Sequence, residues 1–400
     1  MDTRKINIGV LLGADSFSGG GFQYEFSMLD ILNKLNDDRF KFTFFTLNPS
    51  SFKEYKNRNI NVNLINESFF QRIIRTLLRS YSGFTILSRF GINISYYEKK
   101  LKELKLDLIY FLSPSTFALD LVYLPFISTV WDLCYLDFNE FPEVRDKRTF
   151  EFREYLYSNT LRKSIAVIAD SEYGKSNLIR RFNLDENRIH SIKFQPGLRN
   201  SSNEIVDIKS YYNIKNDYVF YPAQLWAHKN HTYILDAISN LKIENNISID
   251  LVLTGSDKGN FVYLKKYAQN LGLENNLHYL GFVPEHHIEF LYRQSLSLVM
   301  PTYFGPTNIP PLEAFLYDTA VCYSKLPGLE DQVKGAAFLM DLGNPKSLSN
   351  SLLKIINKDP IVEVYKLRGK EILNSYNETD ISKTFVSIFE SFYNIRTKWT

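Results

Sequence analysis

The residues able to do chemistry in this 400-residue chain collect in a few short stretches, and the densest is 301–313, PTYFGPTNIPPLE. It follows the apolar run 296–300 and precedes a helix-like run at 311–316, so the order is strand, loop, helix. At such a junction in an open α/β sheet the loop lies at the carboxyl end of a strand, and the next helix aims unpaired N–H groups at it. An anion is the natural guest. Pro310 and Pro311 suit the first turn of that helix, where a missing N–H costs nothing. Gly305 and Pro306 predict a tight turn that lets the backbone approach a ligand, with Thr307, Asn308 and Ile309 after it and the carboxylate of Glu313 beyond. A second stretch, 221–231, places Gln224, His228 and Lys229 directly after another apolar run, with Lys229 at a helix start as the candidate cation. His228 and His231 flank it without carboxylate or cysteine neighbours in the sequence, which favours a structural or capping role over a metal site. Ser18-Gly19-Gly20-Gly21 follows the first apolar run as a turn of phosphate-binding type. Asp132, in Trp131-Asp132-Leu133, follows a further one.

The elements that must position these residues alternate. Strands are expected at 6–12, 40–46, 60–64, 108–111, 127–130 and 165–169, then at 218–221, 249–253, 277–280 and 296–300, with amphipathic helices such as 23–35, 96–104, 231–241, 261–271 and 288–294 between them. Ser171 is placed to cap a helix over 175–182. Strand alternating with helix argues an α/β fold of parallel, Rossmann-like sheets. A polar break around Pro196-Gly197-Leu198 and Asn200-Ser201-Ser202-Asn203 reads as a linker. It divides the chain into domains over 1–198 and 199–378, and 379–400 reads as an amphipathic helix that needs a partner surface, expected on the first domain.

The length suits two domains of roughly 150 to 200 residues. Forty-seven basic against 44 acidic residues leave a formal charge of +3, too balanced for wholesale nucleic-acid binding, so any anion site must be local. The two cysteines, Cys134 and Cys322, sit in apolar surroundings and read as small buried thiols in a reducing, cytoplasmic setting. The start superficially resembles a signal peptide, but Asn7 and Asp15 break its apolar run and no small-residue cleavage site follows, so a first strand is the better reading. No apolar stretch of roughly 18 residues suggests a membrane span.

Four stretches, taken together and in order, resemble glycosyltransferase family 4, the retaining nucleotide-sugar enzymes of the GT-B fold: 18–21, 168–175, 221–231 and 301–313. Residues 326–332 and 335–337 also fit. The resemblance covers most of the chain and is dense from about residue 165 onward. It implies two Rossmann-like domains facing across a cleft, with the nucleotide sugar on the second. Breaking the sugar–diphosphate bond builds negative charge on the leaving oxygen, and a cation such as Lys229 would answer it. Glu313 matches the second glutamate of the family's Glu-x7-Glu motif and is expected to accept both ribose hydroxyls, although a glutamate in the first helical turn is also favoured by the helix dipole. Two departures stand out. Gln224 replaces an arginine usual in the family, and Gly305 replaces the first motif glutamate, so donor recognition is expected from Gly20, Gly21, Lys229, Thr307 or Asn308 and the backbone N–H groups around 304–308. Asp132 stands in a segment resembling the family's His-Asp-Leu, where it either orients an acceptor hydroxyl or caps a helix. No Asp-x-Asp triplet occurs, and no metal or other cofactor is expected.

The resemblance implies hexose transfer from a nucleotide diphosphate sugar to a saccharide, lipid-linked or not, in bacterial surface polysaccharide assembly such as O-antigen, capsule or exopolysaccharide. A nucleotide-sugar epimerase, a sugar phosphorylase and a catalytically silent nucleotide-sugar-binding protein are the alternatives. In 69–79, FFQRIIRTLLR, apolar residues recur at helical spacing beside Arg72, Arg75 and Arg79. Such a helix either packs on its own protein or lies on an anionic membrane, which would place the chain at the inner face of the plasma membrane.

Overall fold

The computed structural model describes residues 5–13, 20–195 and 205–398. Two wholly parallel sheets organise it. The first contains β1 (Ile6–Leu11), β2 (Phe40–Thr46), β3 (Val62–Leu64), β4 (Leu108–Phe111), β5 (Phe126–Val130), β6 (Ala166–Ala169) and β7 (Ile189–Ser191), in the order β3-β2-β1-β4-β5-β6-β7. The second contains β8 (Tyr218–Pro222), β9 (Asp250–Thr254), β10 (Leu277–Tyr279), β11 (Ser297–Met300), β12 (Ala320–Ser324) and β13 (Phe338–Met340), in the order β10-β9-β8-β11-β12-β13. Central strands such as β4, β5, β9 and β11 are buried at every position. That is why they read as short continuous apolar runs. In both sheets the strand order turns back beside the first strand, between β1 and β4 and between β8 and β11. Ligands of open α/β sheets bind at the carboxyl ends of the strands at such switch points. Three strands, β7, β12 and β13, were not expected from the sequence.

The chain divides into two compact units, one of Met1–Leu133, Glu151–Lys193 and Asn377–Thr400, the other of Cys134–Phe150 and Phe194–Tyr376. The expected linker, Pro196-Gly197-Leu198 and 200–203, lies outside the described residues. The helix Glu378–Arg396 belongs to the first unit. Phe385 meets Tyr110 at 5.5 Å between ring centroids, and Phe389 meets Phe40 at 5.6 Å and Phe42 at 5.7 Å. Two ion pairs flank these rings, Arg39 to Glu390 at 2.7 Å and Arg396 to Asp107 at 3.2 Å.

The structure corrects a single division at 198/199, because Cys134–Phe150 groups with the second unit. The reason is aromatic: Phe138 and Phe141 lie 5.5 and 5.2 Å from Tyr303, and Phe141 lies edge-on to Phe304 at 5.4 Å. Local periodicity carries no trace of such distant partners.

A second correction concerns the helix Phe69–Leu78. Arg75 and Arg79 do not stand on an open flank. Arg75 donates to Glu67 at 3.0 Å and to Asp120 at 2.8 Å, and Arg79 donates to Asp120 at 2.6 and 2.9 Å. Neighbouring Glu98, fully buried, accepts the N–H groups of Val122, Tyr123 and Leu124 and so fixes the loop after Asp120.

Candidate functional site

At the switch point of the second sheet, the loop after β8 and the loop after β11 are joined. Tyr303 N–H donates to the His228 carbonyl at 2.9 Å, and the Phe304 ring stacks on the His228 imidazole at 4.2 Å with a 12° tilt. His228 is further held by Glu143, whose carboxylate accepts the His228 backbone N–H at 2.9 Å and meets its Nδ1. Burial alone would raise the Glu143 pKa, but the bonds from His228 more than offset it, so the carboxyl is held below its ordinary value. Glu143 carried no signal in the sequence, since it lies 85 residues from His228. The structural role expected for His228 is therefore a specific one: its ring and backbone tie together the two loops that any ligand at this switch point must meet.

Lys229 follows directly, half-buried in a turn of 3-10 helix, Ala227–Lys229, with its N–H donating to the Trp226 carbonyl at 3.1 Å. Asn230 turns the chain through the left-handed region, φ 56°, which asparagine tolerates, and the helix His231–Asn245 begins. Gln224 turns its side-chain oxygen to the Trp226 indole N–H at 2.8 Å.

His231 is buried against the Tyr221 ring, 5.0 Å between centroids, and neither ring nitrogen has a hydrogen-bond partner among the described residues. Burial, then the charges of Lys229 and His228, lowers its pKa from 6.5 to about 3. The sign follows from linkage. Below pH 6.5 the unfolded chain binds a proton at this site that the folded chain refuses, so stability is full above that pH and falls as pH drops towards 3. This one group is expected to contribute a slope of up to about 1.4 kcal/mol per pH unit in that window. Thermal melts of His231→Phe against the parent from pH 7 to pH 4 check it; parallel curves would remove the assignment.

In the loop after β11, Gly305 adopts φ 90°, and its N–H donates to Cys134 Sγ at 3.2 Å. A Cβ there would sit 3.1 Å from the Thr307 carbonyl, so the left-handed turn and the close packing both call for glycine. Three of the backbone N–H groups of 304–308, where a ligand was expected, have partners within the protein. The Phe304 N–H is taken by Thr302 Oγ1 at 3.2 Å, the Gly305 N–H by Cys134, and the Asn308 N–H by Gln332 Oε1 at 3.0 Å. Pro306 has none to offer, and Thr307 is buried. Gln332 also donates to the Asn308 carbonyl at 2.6 Å and, with Tyr323, pins that residue ahead of the helix. Cys134 is half-buried rather than enclosed, whereas burial pushes the Cys322 thiol up to about 12.

The helix itself starts at Ile309, earlier than the proline pair suggested, so Glu313 falls in its second turn and not its first. Its carboxylate is 2 % exposed and accepts the Tyr292 hydroxyl at 2.8 Å. Each carboxylate oxygen can take more than one donor, so this bond fixes the rotamer without exhausting the group.

In the first unit, Gly20 opens the helix Gly20–Lys34, while Ser18 and Gly19 lie outside the described residues. A Cβ at Gly21 would meet the Trp131 ring at 2.8 Å, so the indole explains this glycine by packing. Asp132 is ion-paired: Arg153 Nη2 donates to its Oδ1 at 3.0 Å and to its carbonyl at 2.6 Å. Two further groups escaped the sequence reading, Arg153 and the fully buried Glu25, which accepts the Gly13 N–H with both oxygens at the carboxyl end of β1. Among the described residues no three His, Cys, Asp or Glu side chains gather as a metal site, and no helix is long and apolar enough to cross a membrane.

Comparison with known proteins matches residues 207–372 to the family model of glycosyl transferases group 1. Over 232 residues, 57% of this chain and 61% of the relative, the sequence is 24% identical to the O-antigen chain mannosyltransferase B of Escherichia coli. The chain thus spans about three fifths of that relative's length, and 64% and 54% of two other curated relatives. The structure of Anabaena HepE in complex with UDP-glucose superposes with TM-score 0.72 at 17% identity, covering 96% of this chain and all of that one. WaaG, a glycosyltransferase involved in lipopolysaccharide biosynthesis, superposes with TM-score 0.65 at 14% identity, over 96% and 99% of the two chains. The two parallel sheets, their strand orders and these superpositions establish that the chain has the GT-B fold, and its residues 207–372 fit the group 1 glycosyl transferases.

Proposed function

We propose that the chain is a retaining glycosyltransferase that moves a hexose from a nucleotide diphosphate sugar to a saccharide hydroxyl in assembly of a bacterial surface polysaccharide. The bond from the anomeric carbon to the diphosphate breaks, the nucleoside diphosphate leaves, and the acceptor oxygen bonds that carbon and loses its proton. The observation that carries this reading is the junction at the second sheet's switch point, where one loop delivers Lys229 and the other leads to Glu313. Lys229 would meet the charge growing on the leaving diphosphate. Glu313, its rotamer held by Tyr292, would accept the ribose hydroxyls. Gln224, Thr307 and Asn308 would border the donor, and Asp132, oriented by Arg153, would address the acceptor. The O-antigen mannosyltransferases and the UDP-glucose-binding structure among the similar proteins support a hexose donor and leave both UDP and GDP as carriers.

The test is a thermal-shift panel of UDP- and GDP-hexoses on the full chain, since a ligand of the native state raises its stability. Nucleoside diphosphate release with and without saccharide acceptor follows for the sugar that binds. Binding with neither hydrolysis nor transfer would make the chain a silent binding protein. Conversion of the donor sugar without acceptor would make it an epimerase, and turnover only with inorganic phosphate a phosphorylase. Glu313→Ala is expected to weaken nucleotide binding in calorimetry, and unchanged affinity removes the ribose role.

A further inference from the structure

The helices Phe69–Leu78 and Tyr81–Ser88 contain no buried residue, although they are rich in large apolar side chains. Phe69 is 73% exposed, Phe70 76%, Tyr81 85% and Phe90 76%, and Ile73 and Leu77 continue the first helix's outward face at successive turns. The usual arrangement is inverted. A surface helix normally buries its apolar stripe and shows its charges to water, but here Arg75 and Arg79 are turned inward onto Asp120 and Glu67, and the apolar side is left outside. Large apolar side chains exposed in this number over one short segment mark an interaction surface.

The charge pattern selects the occupant. From Ser68 to Tyr97 the chain has four arginines and no aspartate or glutamate. With Arg75 and Arg79 paired, Arg72 and Arg89 remain exposed beside the aromatic side chains. A second copy docking through the same face about a two-fold axis would set these arginines against each other with no carboxylate in that stretch to answer them. An anionic lipid surface supplies both missing halves, acyl chains for the aromatic side chains and phosphates for the guanidinium groups. Helices of ten and eight residues are too short to span a bilayer and suited to lie in its interface. We infer that the helix pair over 69–90 is a membrane-docking element that inserts Phe69, Phe70, Ile73, Leu77, Tyr81 and Phe90 into an anionic bilayer, while Arg75 and Arg79 act as its clamp to the protein and not as its headgroup contacts.

This inference stands on the first unit alone and is tested without donor or acceptor. The full chain is expected to co-sediment with vesicles of equal parts phosphatidylglycerol and phosphatidylcholine, and less with phosphatidylcholine alone. Phe69→Ser combined with Phe70→Ser should weaken that partitioning at least about tenfold, given the transfer value of two aromatic side chains. Because both side chains are exposed, the thermal melt should not move, which separates lost docking from lost folding. Phe70→Trp should shift its emission to the blue on vesicles and be quenched by lipids brominated along the acyl chain. Equal partitioning of the double variant and the parent, or no binding to anionic vesicles at low salt, overturns the inference. So does a concentration-dependent dimer that the double variant abolishes, since a second copy would then cover the face.

Discussion

Asp120→Ala is expected to destabilise the protein by about 3–5 kcal/mol, the usual loss when one partner of a buried ion pair is removed. Its carboxylate is wholly buried and receives three hydrogen bonds from Arg75 and Arg79, which are themselves 12% and 21% exposed. Most of the loss comes from Arg79, left without its counter-charge, while Arg75 retains Glu67. Arg72→Ala, at an exposed position on the same helix, should stay within about 0.5 kcal/mol of the parent. Urea unfolding followed by circular dichroism measures both. A small effect at Asp120 would mean that both arginines swing into water at little cost, and the clamp would then be loose.

Lys229→Ala is expected to lower kcat about a hundredfold, by analogy with the removal of a single charge-stabilising donor elsewhere. If the lysine answers charge that develops on the leaving diphosphate, its loss should fall on kcat more than on KM, because the interaction strengthens in the transition state. The turn that carries it is held by backbone bonds at Trp226 and Ala227, which an alanine keeps. Lys229→Arg retains the charge and should recover part of the rate. An unchanged kcat in Lys229→Ala, with transfer intact, would strike the lysine from the mechanism.

What could be read from the sequence divides along a physical line. Short apolar runs between turn residues report strands buried on both faces, so β1, β8, β9 and β11 were legible within a residue or two. The cap at Ser171 was equally legible, and its hydroxyl does accept the Gly174 N–H at 3.0 Å. Strands β7 and β13 have three residues each, too few to impose a period. The pairs that shape the sites join distant residues: Glu143 with His228, Asp120 with Arg75, Asp132 with Arg153. Each depends on the fold having closed, and no local pattern encodes it. The helix Phe69–Leu78 shows the limit most plainly. Its amphipathic period was visible, but which side faces the protein was decided by Asp120, 45 residues away from Arg75.

The assignment of Asn377–Thr400 to the first unit sets an order of events during synthesis. The aromatic side chains of Phe40, Phe42 and Tyr110 wait for Phe385 and Phe389, which leave the ribosome hundreds of residues later, whereas every segment of the second unit has been made by Tyr376. Non-local closure of this kind is slow, and a sheet awaiting its cover exposes surface prone to aggregation. The half of the molecule that is begun first is therefore the half that is finished last, and a nascent chain released before Phe385 has a complete second unit and an uncovered first sheet.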